Sequence, residues 1–188
     1  QAGYMPEAVL DLPPEYVLKM VRAFPAGQGE GERLCTHSGL DYCLISSQNI
    51  LDMLDPDASK FYVLQSYERM WAEFRSEFGK TITSVWVDEP SYGRADLPWT
   101  HGLPGAYRAI WGEEFPIDRV YLLFEDGDGA ARLRYRYWRT VLHLITSSYF
   151  QSVRDWCNKN GVMFSGHLMG EDTMELQMRT TCFTMPCY

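Results

Sequence analysis

The chain has 188 residues, of which 46% are hydrophobic and 22% charged, and its formal net charge is −8 at pH 7. This length and composition are typical of one globular domain and exclude a disordered chain. The negative charge argues against a nucleic-acid or anionic-membrane surface, since both need clustered Lys and Arg. No run of about 18 apolar residues occurs, so no transmembrane helix is predicted. The five cysteines are odd in number and match no zinc-site spacing, so we expect reduced thiols.

The first part of the chain predicts short elements. Residues 16–24 fit a strand or a short helix, and the glycine-rich residues 25–32 follow as a loop. Residues 31–47 predict two short strands, or one strand and its loop, around a turn at 37–41. A helix comes next, because Asp55 is a good N-cap and apolar residues then recur at three- and four-residue spacing as far as residue 74. Gly79 is predicted to close this helix.

Residues 81–92, TITSVWVDEPSY, predict the strand around which the rest is arranged. Its β-branched and aromatic residues are nearly continuous, as in a parallel strand covered on both faces. Pro90 lacks an amide hydrogen and ends the strand. A long loop at 91–102 is then expected to carry function. Later elements are a helix at 103–112, a short apolar segment at 117–124, a long helix at 129–160 and a second short buried strand at 162–165.

Acidic residues follow both buried strands. Strands of one parallel sheet end at the same edge, so Glu89 and Glu171 are expected to face one pocket. Paired carboxylates are the apparatus of glycoside hydrolysis: one donates a proton to the leaving oxygen, and the other attacks carbon or activates water. Glu89 and Glu171 are therefore the predicted catalytic pair.

Several neighbouring side chains are predicted to bind the substrate. These are Asp88, Trp99, His101 and His167. Two simpler interpretations stay open, a solvated acidic turn at Asp88 and Glu89 and a core histidine at His167. A metal site of nitrogen and oxygen ligands is a further alternative, although no His-Glu-x-x-His motif supports it. Its candidate ligands are His37, Asp41, Asp88, Glu89, His167 and Glu171. We predict no cofactor, and an accessory calcium ion held by carboxylates and carbonyls is compatible with the sequence.

Three stretches, residues 51–92, 97–112 and 134–172, resemble the catalytic barrel of large bacterial glycoside hydrolases of the α-L-rhamnosidase type. The resemblance implies part of a (β/α)8 barrel with parallel strands and long βα loops over residues 1–188. It also implies removal of a terminal sugar, with Glu89 of VDEP as general acid and an inverting mechanism. The partners expected are a carbohydrate substrate and the remaining barrel and accessory domains of a longer chain, without nucleic acid or membrane. The alternatives are a retaining β-galactosidase-like barrel, an inactive sugar-binding protein, and an α/β scaffold with an acidic surface loop.

Overall fold

The protein is described by a computed structural model, which covers residues 12–88, 90 and 97–167. Its strands are Val17–Pro25 (β1), Glu32–His37 (β2), Leu40–Leu51 (β3), Ser84–Asp88 (β4), Leu97–Trp99 (β5) and Met163–His167 (β6). Its α-helices are Pro56–Gln65 (α1), Tyr67–Phe74 (α2), Leu103–Trp111 (α3), Ala130–Ile145 (α4) and Gln151–Asn160 (α5). Short 3-10 helices occupy Pro14–Tyr16 and Ile117–Leu123, and a π-helical turn, Thr146–Phe150, joins α4 to α5.

The first three strands form an antiparallel sheet, which β5 extends to give the order β2-β3-β1-β5. The β2–β3 hairpin turns at Ser38 and Gly39, which both have positive φ, as a two-residue turn between twisted strands requires. The strand alternative for residues 16–24 and the two-strand alternative for residues 31–47 are therefore confirmed.

The predicted (β/α)8 barrel is wrong. Within the described residues, four of the six strands form an open antiparallel sheet, and only β4 and β6 pair in parallel, in a separate two-stranded sheet. The reason lies in the connections: a two-residue turn such as that at 38–39 can join only antiparallel strands, because a parallel crossover needs a dozen or more residues. The loop predicted after β4 also returns to the antiparallel sheet, where Leu97–Trp99 pairs with β1. The fold is mixed α/β.

The observed helices lie where the sequence predicts them, but their lengths differ from the predicted ones. Asp55 caps α1 by accepting from the amides of Asp57 and Ala58, both at 2.8 Å. The helix predicted to run to Gly79 instead breaks at Ser66, and α2 ends at residue 74. The Ser66 hydroxyl donates to the Tyr62 carbonyl at 2.6 Å, a bond that competes with regular helix geometry. The long helix predicted at 129–160 is confirmed as α4, the π turn and α5.

One hydrophobic core joins both sheets to this long helix, with Leu18 of β1, Val85 of β4 and Val141 of α4 among its members. Side chains of the helix also donate hydrogen bonds to separate parts of the chain. Tyr137 donates to the Pro98 carbonyl at 2.5 Å. Within the described residues, no helix combines the length and apolar character of a membrane span.

Candidate functional site

The parallel pair β4–β6 is built from two short segments that pack one face on the core. Val85, Val87 and Phe164 are buried, whereas Trp86 and Met163 on the opposite face are 45% and 46% exposed. The prediction that the first strand is covered on both faces is therefore wrong for this chain. The Ser165 hydroxyl adds a cross-strand bond to the Val85 carbonyl at 3.2 Å.

Gly166 brings the ends of the two strands close together. A Cβ atom at this position would lie 2.1 Å from the carbonyl oxygen of Val87, which is far inside van der Waals contact. A residue with a side chain would push β6 away from β4 at the pair Val87–Gly166, next to the end of the two strands. The glycine in the sequence MFSGH therefore has a structural reason, which is close approach of one backbone to another.

The register places Asp88 of β4 opposite His167 of β6. Each is the last residue of its strand, so two predicted site residues do share the carboxyl edge of a parallel pair. Glu89 directly follows Asp88 in sequence. Glu89 and the second predicted catalytic residue, Glu171, lie outside the described residues. Their separation, and with it their catalytic assignment, stays a prediction.

Trp99 and His101 belong to the other sheet, at and beyond the end of β5. Trp99 is 4% exposed, and its ring packs edge-on against Phe115 with 5.2 Å between ring centroids. His101 is exposed, and its Nδ1 atom lies 3.4 Å from Oδ2 of Asp55. Binding of substrate by either residue remains a prediction, and for Trp99 the burial in the core is a sufficient structural role.

Around the His101–Asp55 contact lies a polar cluster that the sequence did not identify, formed by Asp52, Asp55, Thr100 and His101. Asp52 is 4% exposed and accepts from the Leu54 amide at 3.1 Å. Burial raises the pKa of its carboxyl to about 6, and the nearby Thr100 hydroxyl offsets only part of this effect. The geometry leaves that hydroxyl, which is buried, without a hydrogen-bond partner among the described residues. The only sequence signal was the run LDMLDPD, in which Asp55 was recognised as a cap and Asp52 was not.

A second cluster fixes the segment after the second 3-10 helix to the β2–β3 hairpin. Tyr42, which is fully buried, donates a short hydrogen bond to Glu125, whose other oxygen lies 3.9 Å from Nε2 of His37. The His37 ring stacks on Tyr121 with 3.7 Å between centroids. Burial is the first cause that raises the pKa of Tyr42, followed by its bond to Glu125. The cluster ties two surface elements together through a buried tyrosine.

The predicted metal ligands at the hairpin have other partners. Asp41 accepts from the Thr36 hydroxyl at 2.6 Å and from the Gly27 amide at 2.8 Å. The bond from Thr36 is the main reason that the pKa of Asp41 is lowered. In the part of the chain that the structure describes, no three His, Cys, Asp or Glu side chains are grouped so that they could hold a metal ion.

No protein-family model matches the chain, and no curated protein matches it in sequence. Among solved structures, the chain is similar to a rhamnosidase from Novosphingobium sp. PP1Y, with a TM-score of 0.54 and 16% sequence identity. The chain shares a fold with part of this enzyme. The match covers 77% of the chain but only 16% of the rhamnosidase, so it concerns a small portion of that protein. At this identity, the likeness shows the fold and leaves the activity open.

Proposed function

We propose that the chain is part of a glycoside hydrolase of the α-L-rhamnosidase type, which removes a terminal sugar. In this proposal the strand pair β4–β6 carries the catalytic acids at its carboxyl edge. The observation that carries this proposal is the parallel register of β4 and β6, which sets Asp88 opposite His167 at one carboxyl edge. Parallel α/β sheets build their sites at this edge. The fold likeness to part of a rhamnosidase supports the same class.

In this proposal Glu89 protonates the departing glycosidic oxygen, and Glu171 activates water on the opposite side of the sugar ring. Asp88 and His167 flank the acids and bind sugar hydroxyls, and further domains of a longer chain complete the pocket. An inverting reaction follows if the two carboxyl groups lie about 6.5–9.5 Å apart, whereas about 5–5.5 Å gives a retaining enzyme of the β-galactosidase kind. A binding protein without catalysis is the alternative from another class.

The test is hydrolysis of 4-nitrophenyl α-L-rhamnopyranoside by the longer chain that the proposal requires, with the β-D-galactopyranoside as the competing substrate. Replacing Glu89→Gln removes the general acid, so we expect kcat to fall about 10²- to 10⁴-fold with little change in affinity for L-rhamnose. Glu73→Gln is the matched control, because Glu73 is an exposed carboxylate on α2. Its kinetics should equal those of the original protein.

Each other outcome selects an alternative. Saturable binding of L-rhamnose without turnover of either substrate would identify a sugar-binding protein. Hydrolysis of the galactoside alone would identify the retaining β-galactosidase-like alternative. Absence of both hydrolysis and binding would refute the proposal and leave an α/β scaffold.

A further inference from the structure

His101 is an exposed imidazole that contacts a buried carboxylate. The histidine follows β5 by two residues, and its side chain is 84% exposed. The Asp55 side chain is only 7% exposed, and its Oδ2 atom lies 3.4 Å from Nδ1 of His101. This contact is longer than an optimal hydrogen bond. Nδ1 of the imidazole thus faces a buried acceptor, while the side chain as a whole is exposed.

The position of the carboxylate is fixed by the start of α1. Oδ1 of Asp55 accepts two backbone hydrogen bonds, from Asp57 and Ala58, each at 2.8 Å. These bonds use one oxygen and hold the side chain in a single orientation, so Oδ2 is presented to His101 without further rearrangement. An exposed ion pair between two long side chains would lack this preorganisation, since neither partner would be held.

The hydrogen-bonding capacity of the two groups sets the tautomer of the histidine. An ionised carboxylate can only accept, so the nitrogen that faces it, Nδ1, must carry the hydrogen of a neutral imidazole. Nε2 then carries the lone pair, on a side chain that is 84% exposed. Such a nitrogen accepts a hydrogen bond from a hydroxyl group, and this is the chemistry by which a sugar hydroxyl is recognised.

We propose that Asp55 is a positioning residue for His101, and that Nε2 of His101 accepts a hydrogen bond from a hydroxyl of the bound sugar. The inference rests on the proposed function, because it assigns the ligand as a carbohydrate. It adds a residue that was recognised in the sequence only as a helix cap. The competing explanation is that Asp55 caps α1 and contacts His101 with no consequence for binding.

The variant Asp55→Asn separates these two explanations. Asparagine is as good an N-cap as aspartate, so α1 is retained. With its oxygen on the cap, the asparagine amide turns its N–H toward Nδ1, which must then become the acceptor, and the hydrogen moves to Nε2. Nitrogen-15 NMR of the imidazoles at about pH 8, where an ordinary histidine is neutral, detects this reversal. Asp57→Asn is the control, because it removes a charge from the same turn of α1 without touching His101.

The second measurement is a titration of the same samples with L-rhamnose. The inference is supported if the sugar shifts the Nε2 signal of His101 and Asp55→Asn weakens its binding about tenfold or more, while Asp57→Asn binds normally. It is overturned if His101 has the same tautomer in Asp55→Asn, or if the sugar binds without affecting His101. In the second case the proposed function survives. If no sugar binds at all, the proposed function and the ligand assigned to His101 both fail, even where the tautomer reverses.

Discussion

At the scale of single residues, Asp52 is, among the described residues, the carboxylate whose pKa burial raises most clearly. Its side chain is buried beside Thr100, and burial raises its pKa from 3.8 to about 6. The folded protein therefore binds this proton more tightly than the unfolded chain, whose pKa is the ordinary one. The resulting stabilisation is complete below about pH 4 and is lost as the pH rises through about 6, so ionised Asp52 destabilises the fold at neutral pH by about 3 kcal/mol.

The variant Asp52→Asn is expected to remove this cost. The amide oxygen still accepts from Leu54, and no charge is buried. At pH 7.5 the free energy of unfolding should rise by up to about 3 kcal/mol, and the gain should vanish by about pH 4. Urea denaturation across pH 4 to 7.5 measures both effects. A loss of stability at pH 7.5 would mean that the negative charge itself is required, which burial alone does not explain.

The sequence predicts Asp55 as a helix cap, but it does not predict the contact of Asp55 with His101. A helix cap is a contact between residues two or three positions apart, so the pattern Asp-Pro-Asp reveals it. The contacts of Asp55 with His101, and of Asp52 with Thr100, join residues nearly fifty positions apart. Such contacts depend on how β5 is placed against the start of α1, and no local pattern in the chain encodes that placement.

At the scale of elements, the two short strands were found because their composition and boundaries are strong local signals. Val, Ile and Trp before Asp-Glu-Pro predicted β4, and the Asn-Gly stop after the long helix predicted β6. The antiparallel role of β5 was missed, since three residues within a polar loop carry no periodicity. The break at Ser66 was also missed, because apolar spacing continues across it.

Gly166 gives a prediction for the parallel pair. Gly166→Ala places a methyl group against the Val87 carbonyl, so we expect β4 and β6 to separate at their carboxyl ends and the free energy of unfolding to fall by about 2–3 kcal/mol. Gly161→Ala is the matched control, because Gly161 caps α5 with positive φ but has open space around it. It should cost about 1 kcal/mol, the penalty of the left-handed conformation.

Hydrogen exchange distinguishes the two variants locally. In Gly166→Ala the amides of β4 and β6 should exchange faster, while those of β1 and β3 keep their protection. If the two substitutions lower the free energy of unfolding equally, the close approach of Gly166 to Val87 does not contribute to stability.

At the scale of the whole molecule, the long helix contacts both sheets: Phe150 of its π turn packs on Phe164 of β6 with 6.3 Å between ring centroids, and other side chains bond to the rest of the chain. Tyr137 of α4 reaches β5, Ser148 of the π turn donates to the Leu54 carbonyl at 3.0 Å, and Trp156 of α5 donates to Glu68 of α2 at 3.1 Å. A helix was predictable here from its three- and four-residue periodicity. The barrel was a wrong extrapolation from a repeated helix-strand order, because the order does not determine which strands pair.

Tyr137→Phe tests whether this helix joins the sheets energetically. The change leaves the buried Pro98 carbonyl without its donor, so the free energy of unfolding should fall by about 1–3 kcal/mol. Tyr135→Phe is the control on the same helix, since Tyr135 is 62% exposed, and it should have almost no effect. Tryptophan fluorescence and far-ultraviolet circular dichroism should follow one common transition in both variants. Separate transitions would show that the two sheets unfold independently.

The parallel pairing of β4 with β6 also determines when the candidate site can form during folding. The hydrogen bond from Ser165 to Val85 joins positions 80 residues apart, whereas the β2–β3 hairpin closes over a two-residue turn. Closing a long loop costs conformational entropy before any stabilising contact forms, so strands that are distant in sequence pair slowly. The antiparallel hairpin can form early on a growing chain. Asp88 can pair with His167 only after the long helix between them has been synthesised. The candidate site is therefore completed after the antiparallel hairpin.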